Sequence, residues 1–147
     1  MYNAKIPTIT KRFPSEVRNA IEVLSSYSIQ AGSKGKISRP DEAFMGLRKY
    51  AAKKAEHFLA IDLDGAHKVI KTRVVSIGLA NRTVVHPREV FAPALIAGAT
   101  AIIVAHNHPS GNLDPSHEDI EITERLNNAG QILGIAILDH IIISRFG

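Results

Sequence analysis

At 147 residues and 45% apolar content, the chain can form one domain with a sizeable core. No apolar run reaches the length of about 18 residues that a membrane-spanning helix requires, and cysteine is absent, which excludes disulfides and thiolate metal sites. The net charge of +4 is split: residues 1–54 carry 11 Lys/Arg against 4 Asp/Glu, and residues 55–147 carry 7 against 10. A basic N-terminal third suits an anionic partner such as nucleic acid, although these charges form no tight run and read more simply as a solvated face. Met1-Tyr2-Asn3-Ala4-Lys5 lacks the apolar stretch of a secretion signal, so a cytoplasmic location is expected.

Residues 1–14 show no period and read as a loose arm. From Ser15 to Tyr27, Val17, Ala20, Ile21 and Leu24 recur at helical spacing after Pro14. Gln30 to Lys36, with Gly32, Ser33 and Gly35, reads as a linker. The chain thus divides into a basic arm with one short helix (1–37) and a main domain (38–147). A second helix is expected from Ser38, where Ser38 and Asp41 match a capping box and Pro40 suits the first turn, to about Lys54, with Phe44, Leu47 and Ala51 facing the core. Phe58 to Leu63 alternates as a strand, Asp64-Gly65 signals a turn, and Val69 to Ile77 gives the next strand. Thr83 to Val85 is a further short strand.

Pro87 opens another helix, with Gly98 as its stop. Thr100 to Ala105 is a nearly continuous apolar run, the mark of a central strand covered on both faces. Pro109 to Pro115 is a loop. Ser116 starts a helix ending near Asn128, with Gly130 as the break, and Ile132–Leu138 and Ile141–Ile143 read as strands separated by Asp139-His140. These elements predict an α/β or α+β sandwich.

The chemistry concentrates at the end of the central strand. His106 and His108 are two residues apart, so in extended backbone both imidazoles point to one side. Asp119 falls in the first turn of the following helix, where a short loop can fold it back onto the histidine pair. Two His and one carboxylate leave a coordination position for water, and zinc lowers the pKa of such a water to about 7. Ser116-x-x-Asp119 taken alone is a helix cap. Glu89 sits at a helix start, where it compensates the dipole. Asp139 and His140 are candidates for supporting a ligand or for a structural role, and the structural role is preferred.

His106-x-His108, seven residues, then Ser116-x-x-Asp119 resembles the JAMM motif of MPN+/JAB-domain metallopeptidases. The fuller string His106-Asn107-His108-Pro109-Ser110-Gly111-Asn112-Leu113-Asp114-Pro115-Ser116 is similar to the RadC branch of that superfamily. So are Val85 to Phe91 before it and Leu138 to Ile143 after it. The resemblance implies a cytidine-deaminase-like MPN/JAB sandwich, a mixed sheet flanked by helices, holding one Zn²⁺ on His106, His108 and Asp119. It also implies that Ser116 steadies the oxyanion, and that Glu56, directly before an alternating strand, is the catalytic carboxylate. The implied activity is hydrolysis of an amide or isopeptide bond in a protein or peptide substrate. The alternative is a DNA-associated accessory role, and a non-catalytic scaffold ranks last because all three ligands are present. Longer relatives carry a helix-hairpin-helix-like domain, of which residues 1–37 show no pattern. Family members also continue for a short stretch beyond the position of Gly147, so an exposed sheet edge prone to self-association is expected here.

Overall fold

The structure is a computed structural model that describes residues 28–29, 35–37, 40–78 and 85–146. The helix expected at Ser15–Tyr27, the loose arm 1–14 and most of the linker lie outside the described residues, as do Thr83 and Val84 of the short strand; Val85 itself is in no strand. In chain order the described elements are β1 (Ser28–Ile29), α1 (Pro40–Ala51), β2 (Glu56–Leu63), β3 (Val69–Gly78), α2 (Pro87–Ala97), β4 (Ala101–Asn107), α3 (His117–Leu133) and β5 (Ala136–Ile143). Among them no helix is long and apolar enough to cross a membrane.

The strands form one mixed sheet in the order β1-β3-β2-β4-β5. β2 pairs antiparallel with both β3 and β4, while β4 and β5 are parallel and joined through α3, as a parallel pair requires a long crossover. Alternation on the central strands splits the core in two. Leu59, Ile61, Leu63, Ala101, Ile103 and Ala105 pack against Leu47 and Tyr50 of α1. Phe58, Ala60, Ile102 and Val104 pack against Phe91 of α2 and Leu126 of α3 on the opposite face. The architecture is therefore an α/β sandwich with helices on both faces of the sheet. Buried Arg73 ties the hairpin to the second layer. Its guanidinium grips Asp62 with both Nε and Nη2 at 2.8 Å and donates to the carbonyls of Glu89 and Val90.

Three boundaries differ by three residues or more from the sequence reading. α1 stops at Ala51 rather than near Lys54: the Lys53 N–H closes a tight turn on the Tyr50 carbonyl at 3.0 Å, and the carbonyls of Lys53 and Ala55 then turn to the Asn107 side chain at 3.2 and 3.1 Å. Gly130 does not break α3. A Cβ there would lie 2.4 Å from the Ile135 carbonyl oxygen and 3.3 Å from Phe91, so this glycine lets the helix approach its neighbours closely. The break is Gly134, in the left-handed conformation at φ 71°, with its N–H on the Gly130 carbonyl. Finally, Ile132 and Leu133 belong to α3, and Asp139-His140 interrupts nothing: one strand runs from Ala136 to Ile143.

Candidate metal centre

β4 ends at Asn107, and the register pairs His106 with Phe58 of β2 and Ile142 of β5. His106 thus hangs from a strand flanked on both sides and has no exposed surface. Its ring stacks on Phe58 at 6.0 Å between centroids, 7° from parallel. The adjacent Asn107 points to the opposite face. Its amide oxygen accepts the His57 N–H at 2.7 Å and its nitrogen holds the Lys53 and Ala55 carbonyls. One residue on, the chain leaves the strand: the His108 N–H donates to the Ile143 carbonyl at 2.9 Å, and His108 Nδ1 donates to the Asn112 carbonyl at 2.7 Å.

Asp119 arrives from the other side. Ser116 is the N-cap of α3, in extended backbone, and it forms a reciprocal capping box with Asp119. The Ser116 N–H and hydroxyl both donate to Asp119 Oδ2 at 2.7 Å, and the Asp119 N–H donates back to Ser116 Oγ at 3.1 Å. The box holds the carboxylate so that Oδ1 lies 3.1 Å from His106 Nε2 and Oδ2 lies 3.3 Å from His108 Nε2. The two Nε2 atoms are 2.8 Å apart. One ligating atom from each of the three residues falls within 4.8 Å of the others.

Electrostatics suit a cation here. Burial, aided by neighbouring His140, pushes the His106 imidazole down to about 4, so it is neutral at pH 7. Burial of Asp119 opposes its charge. The hydrogen bonds from Ser116, together with the neighbouring His106 and His108, outweigh that and hold the carboxyl below its usual range. The His106–Asp119 contact is therefore no ion pair at neutral pH. His108 Nδ1 donates to the Asn112 carbonyl, which can only accept, so in the neutral ring Nε2 presents a lone pair to the same point. Electron-pair donors crowd around one position, and that is the arrangement a divalent ion satisfies. The residues present fit zinc and fit other divalent ions of similar preference.

The remaining sequence candidates fall as follows. The Ser116 hydroxyl is engaged with Asp119 and borders the centre. Glu56 is half-buried and opens β2, opposite Gly78 of β3. It lies two residues before Phe58, and the β2–β4 pairing is regular, so Glu56, Phe58 and His106 share one face of the sheet. Glu89 reaches back to the His86 N–H at 3.2 Å in a cap of α2, as its position suggested. Two further residues border the centre: His140, a sequence candidate for which a structural role was preferred, has Nε2 2.8 Å from His106 Nδ1, and Thr123, which the sequence reading did not single out, has Oγ1 2.5 Å from His140 Nδ1. The signal for them was a polar pair inside an apolar strand, and a hydroxyl four residues beyond Asp119 on the same helix face. Beside these residues runs an open groove of about 430 Å³ between α3 and β5, bordered by Asp119, Thr123, Glu124, Asn127, Ile137 and His140.

Comparison with known proteins agrees with this architecture. A family model described as a RadC-like JAB domain matches residues 37–147. The chain is similar to a UPF0758 protein of Methanospirillum hungatei, 55% identical over 95 residues that make up 65% of this chain and 42% of the relative. A UPF0758 protein of Picosynechococcus is 56% identical over 90 residues, 61% of this chain and 37% of the relative. One from Methanosarcina mazei is 48% identical over 111 residues, 75% of this chain and 48% of the relative. The matched regions thus span less than half the length of each of these relatives. With the family model taking in β2 to β5, the three helices and all three converging side chains, the chain belongs to the RadC family of JAB domains.

Proposed function

We propose that the protein is a zinc-dependent hydrolase of JAMM type that cleaves an amide or isopeptide bond in a protein or peptide. The convergence of His106, His108 and Asp119 on one point carries this reading, and membership of a JAB-domain family supports it. When bound, the metal supplies a Lewis acid for the scissile carbonyl and a nucleophile from water at neutral pH.

The chain's own residues do the rest. His106, His108 and Asp119 hold the ion. Glu56, on the same sheet face as the histidine pair, takes a proton from the attacking water and returns it to the leaving amine. The Ser116 hydroxyl turns about Cβ–Oγ from the Asp119 carboxylate toward the oxygen on which charge develops. An extended substrate segment lies in the groove between α3 and β5, which leads to Asp119.

The test is a comparison of zinc content, zinc titration and isopeptide cleavage in wild type, Glu56→Gln and His108→Ala. Glu56→Gln is expected to keep the metal and lose cleavage by about 100-fold or more, as for loss of a general base. His108→Ala is expected to lose both. Wild-type protein that takes up no zinc on titration overturns the reading.

A further inference from the structure

Resting on that metal reading, we propose that Thr123 and His140 are positioning residues: they decide which nitrogen of His106 carries its proton. The argument starts at an atom that cannot donate. The backbone carbonyl of Asp119 only accepts, and Thr123 Oγ1 lies 2.5 Å from it. The threonine hydroxyl has one proton and spends it there. Toward His140 Nδ1, also 2.5 Å away, that oxygen can then only accept, so His140 carries its proton on Nδ1. The other ring atom, His140 Nε2, is left with a lone pair 2.8 Å from His106 Nδ1, which must therefore donate. His106 Nε2 is bare as a result.

A shorter relay does the same for the second ligand, since His108 Nδ1 donates to the Asn112 carbonyl. Two directional chains, each ending on a backbone carbonyl, thus bring two unprotonated Nε2 atoms within 2.8 Å of each other. The competing tautomer is close at hand. With its proton on Nε2, His106 would donate to Asp119 Oδ1 at 3.1 Å, and two ligands would satisfy each other in place of an ion. The relay from Thr123 removes that escape. Packing complements it: Phe58 stacks on His106 and meets the His140 ring edge-on, so both ring planes are set while hydrogen bonds set their protons. The relay also begins at the main chain of the residue that supplies the third ligand. One turn of α3 therefore places both the carboxylate and the anchor that prepares the imidazole facing it.

The experiment measures zinc affinity by competition with a chromophoric chelator, and the His106 tautomer by ¹⁵N NMR of the metal-free protein. Both are read in wild type, Thr123→Val, Thr123→Ser, His140→Phe and His140→Gln. Thr123→Val keeps the volume and removes the acceptor. It is expected to weaken zinc binding about 10- to 100-fold and to move His106 toward the Nε2–H form. Thr123→Ser restores the hydroxyl, and His140→Gln can accept from His106 while donating to Thr123, so both should stay within about threefold of wild type. His140→Phe should match Thr123→Val. Wild-type affinity or an unchanged His106 tautomer in Thr123→Val overturns the proposal, as does a serine variant as weak as the valine one. Wild-type protein that binds no zinc overturns the hydrolase reading instead, and the tautomer measurement then still decides the relay.

Discussion

His106 shows how burial and chemistry reinforce each other at one residue. Its ring is enclosed by Phe58, His140 and His108, and burial lowers its pKa from 6.5 to about 4. The unfolded chain binds a proton below pH 6.5 that the folded one refuses until about pH 4. Stability from this group is therefore complete above 6.5 and is lost as pH falls toward 4, by at most about 1.4 kcal/mol per pH unit. Burial shifts His140 the same way. Asp119, lowered from 3.8, contributes above that value and loses its contribution only at lower pH. In urea unfolding of the metal-free protein, the midpoint should drop steeply between pH 6.5 and 4, and His106→Asn should flatten that slope. A wild-type midpoint constant over this range would contradict the burial argument. The converging side chains themselves were legible in sequence, because His106-x-His108 and Ser116-x-x-Asp119 are local patterns. Asn107 and Thr123 were not, and His140 was legible only as a candidate with its structural role preferred, because their roles depend on partners 17 to 54 residues away.

At the scale of elements, composition foretold β4, buried along its whole length, and the limits of α2. The apolar run before His106 is a central strand, and Pro87 and Gly98 bracket α2. The end of α3 was misread because Gly130 is a common stop signal and Ile132 continues into an apolar run. In the structure Ile132 is 86% exposed on the last turn of the helix. An apolar letter there says nothing about burial, and only tertiary contact distinguishes a glycine that ends a helix from one that allows close approach. This predicts a reversal of intrinsic propensity. Gly130→Ala should gain up to about 1 kcal/mol as a helix former, yet it places a methyl group against the Ile135 carbonyl, a backbone atom that cannot step aside. Overpacking of this kind costs about 1–3 kcal/mol, so chemical denaturation should show a net loss. A more stable alanine variant would mean that α3 and β5 can separate freely.

For the molecule as a whole, the candidate ligands come from a central strand, the loop after it and the helix that crosses to β5. An ion held by them would bind only the folded sheet. Zinc at about 100 times its dissociation constant should add about 2.7 kcal/mol of stability, seen as a rise in Tm that a chelator reverses and that His108→Ala abolishes. An unchanged Tm on saturation would show that the three ligands do not act together. The segment His106-Asn107-His108 has a further consequence. Its outer members face the α2–α3 layer, and the middle one faces α1, where it clasps the chain entering β2 beside Glu56. Were β4 to pair one residue out of step, all three would exchange faces. Both imidazoles would enter an apolar layer, the asparagine would meet the carboxylate, and the clasp would open. An ion held by these residues would therefore favour the register in which both imidazoles face Asp119 over one shifted by a single residue.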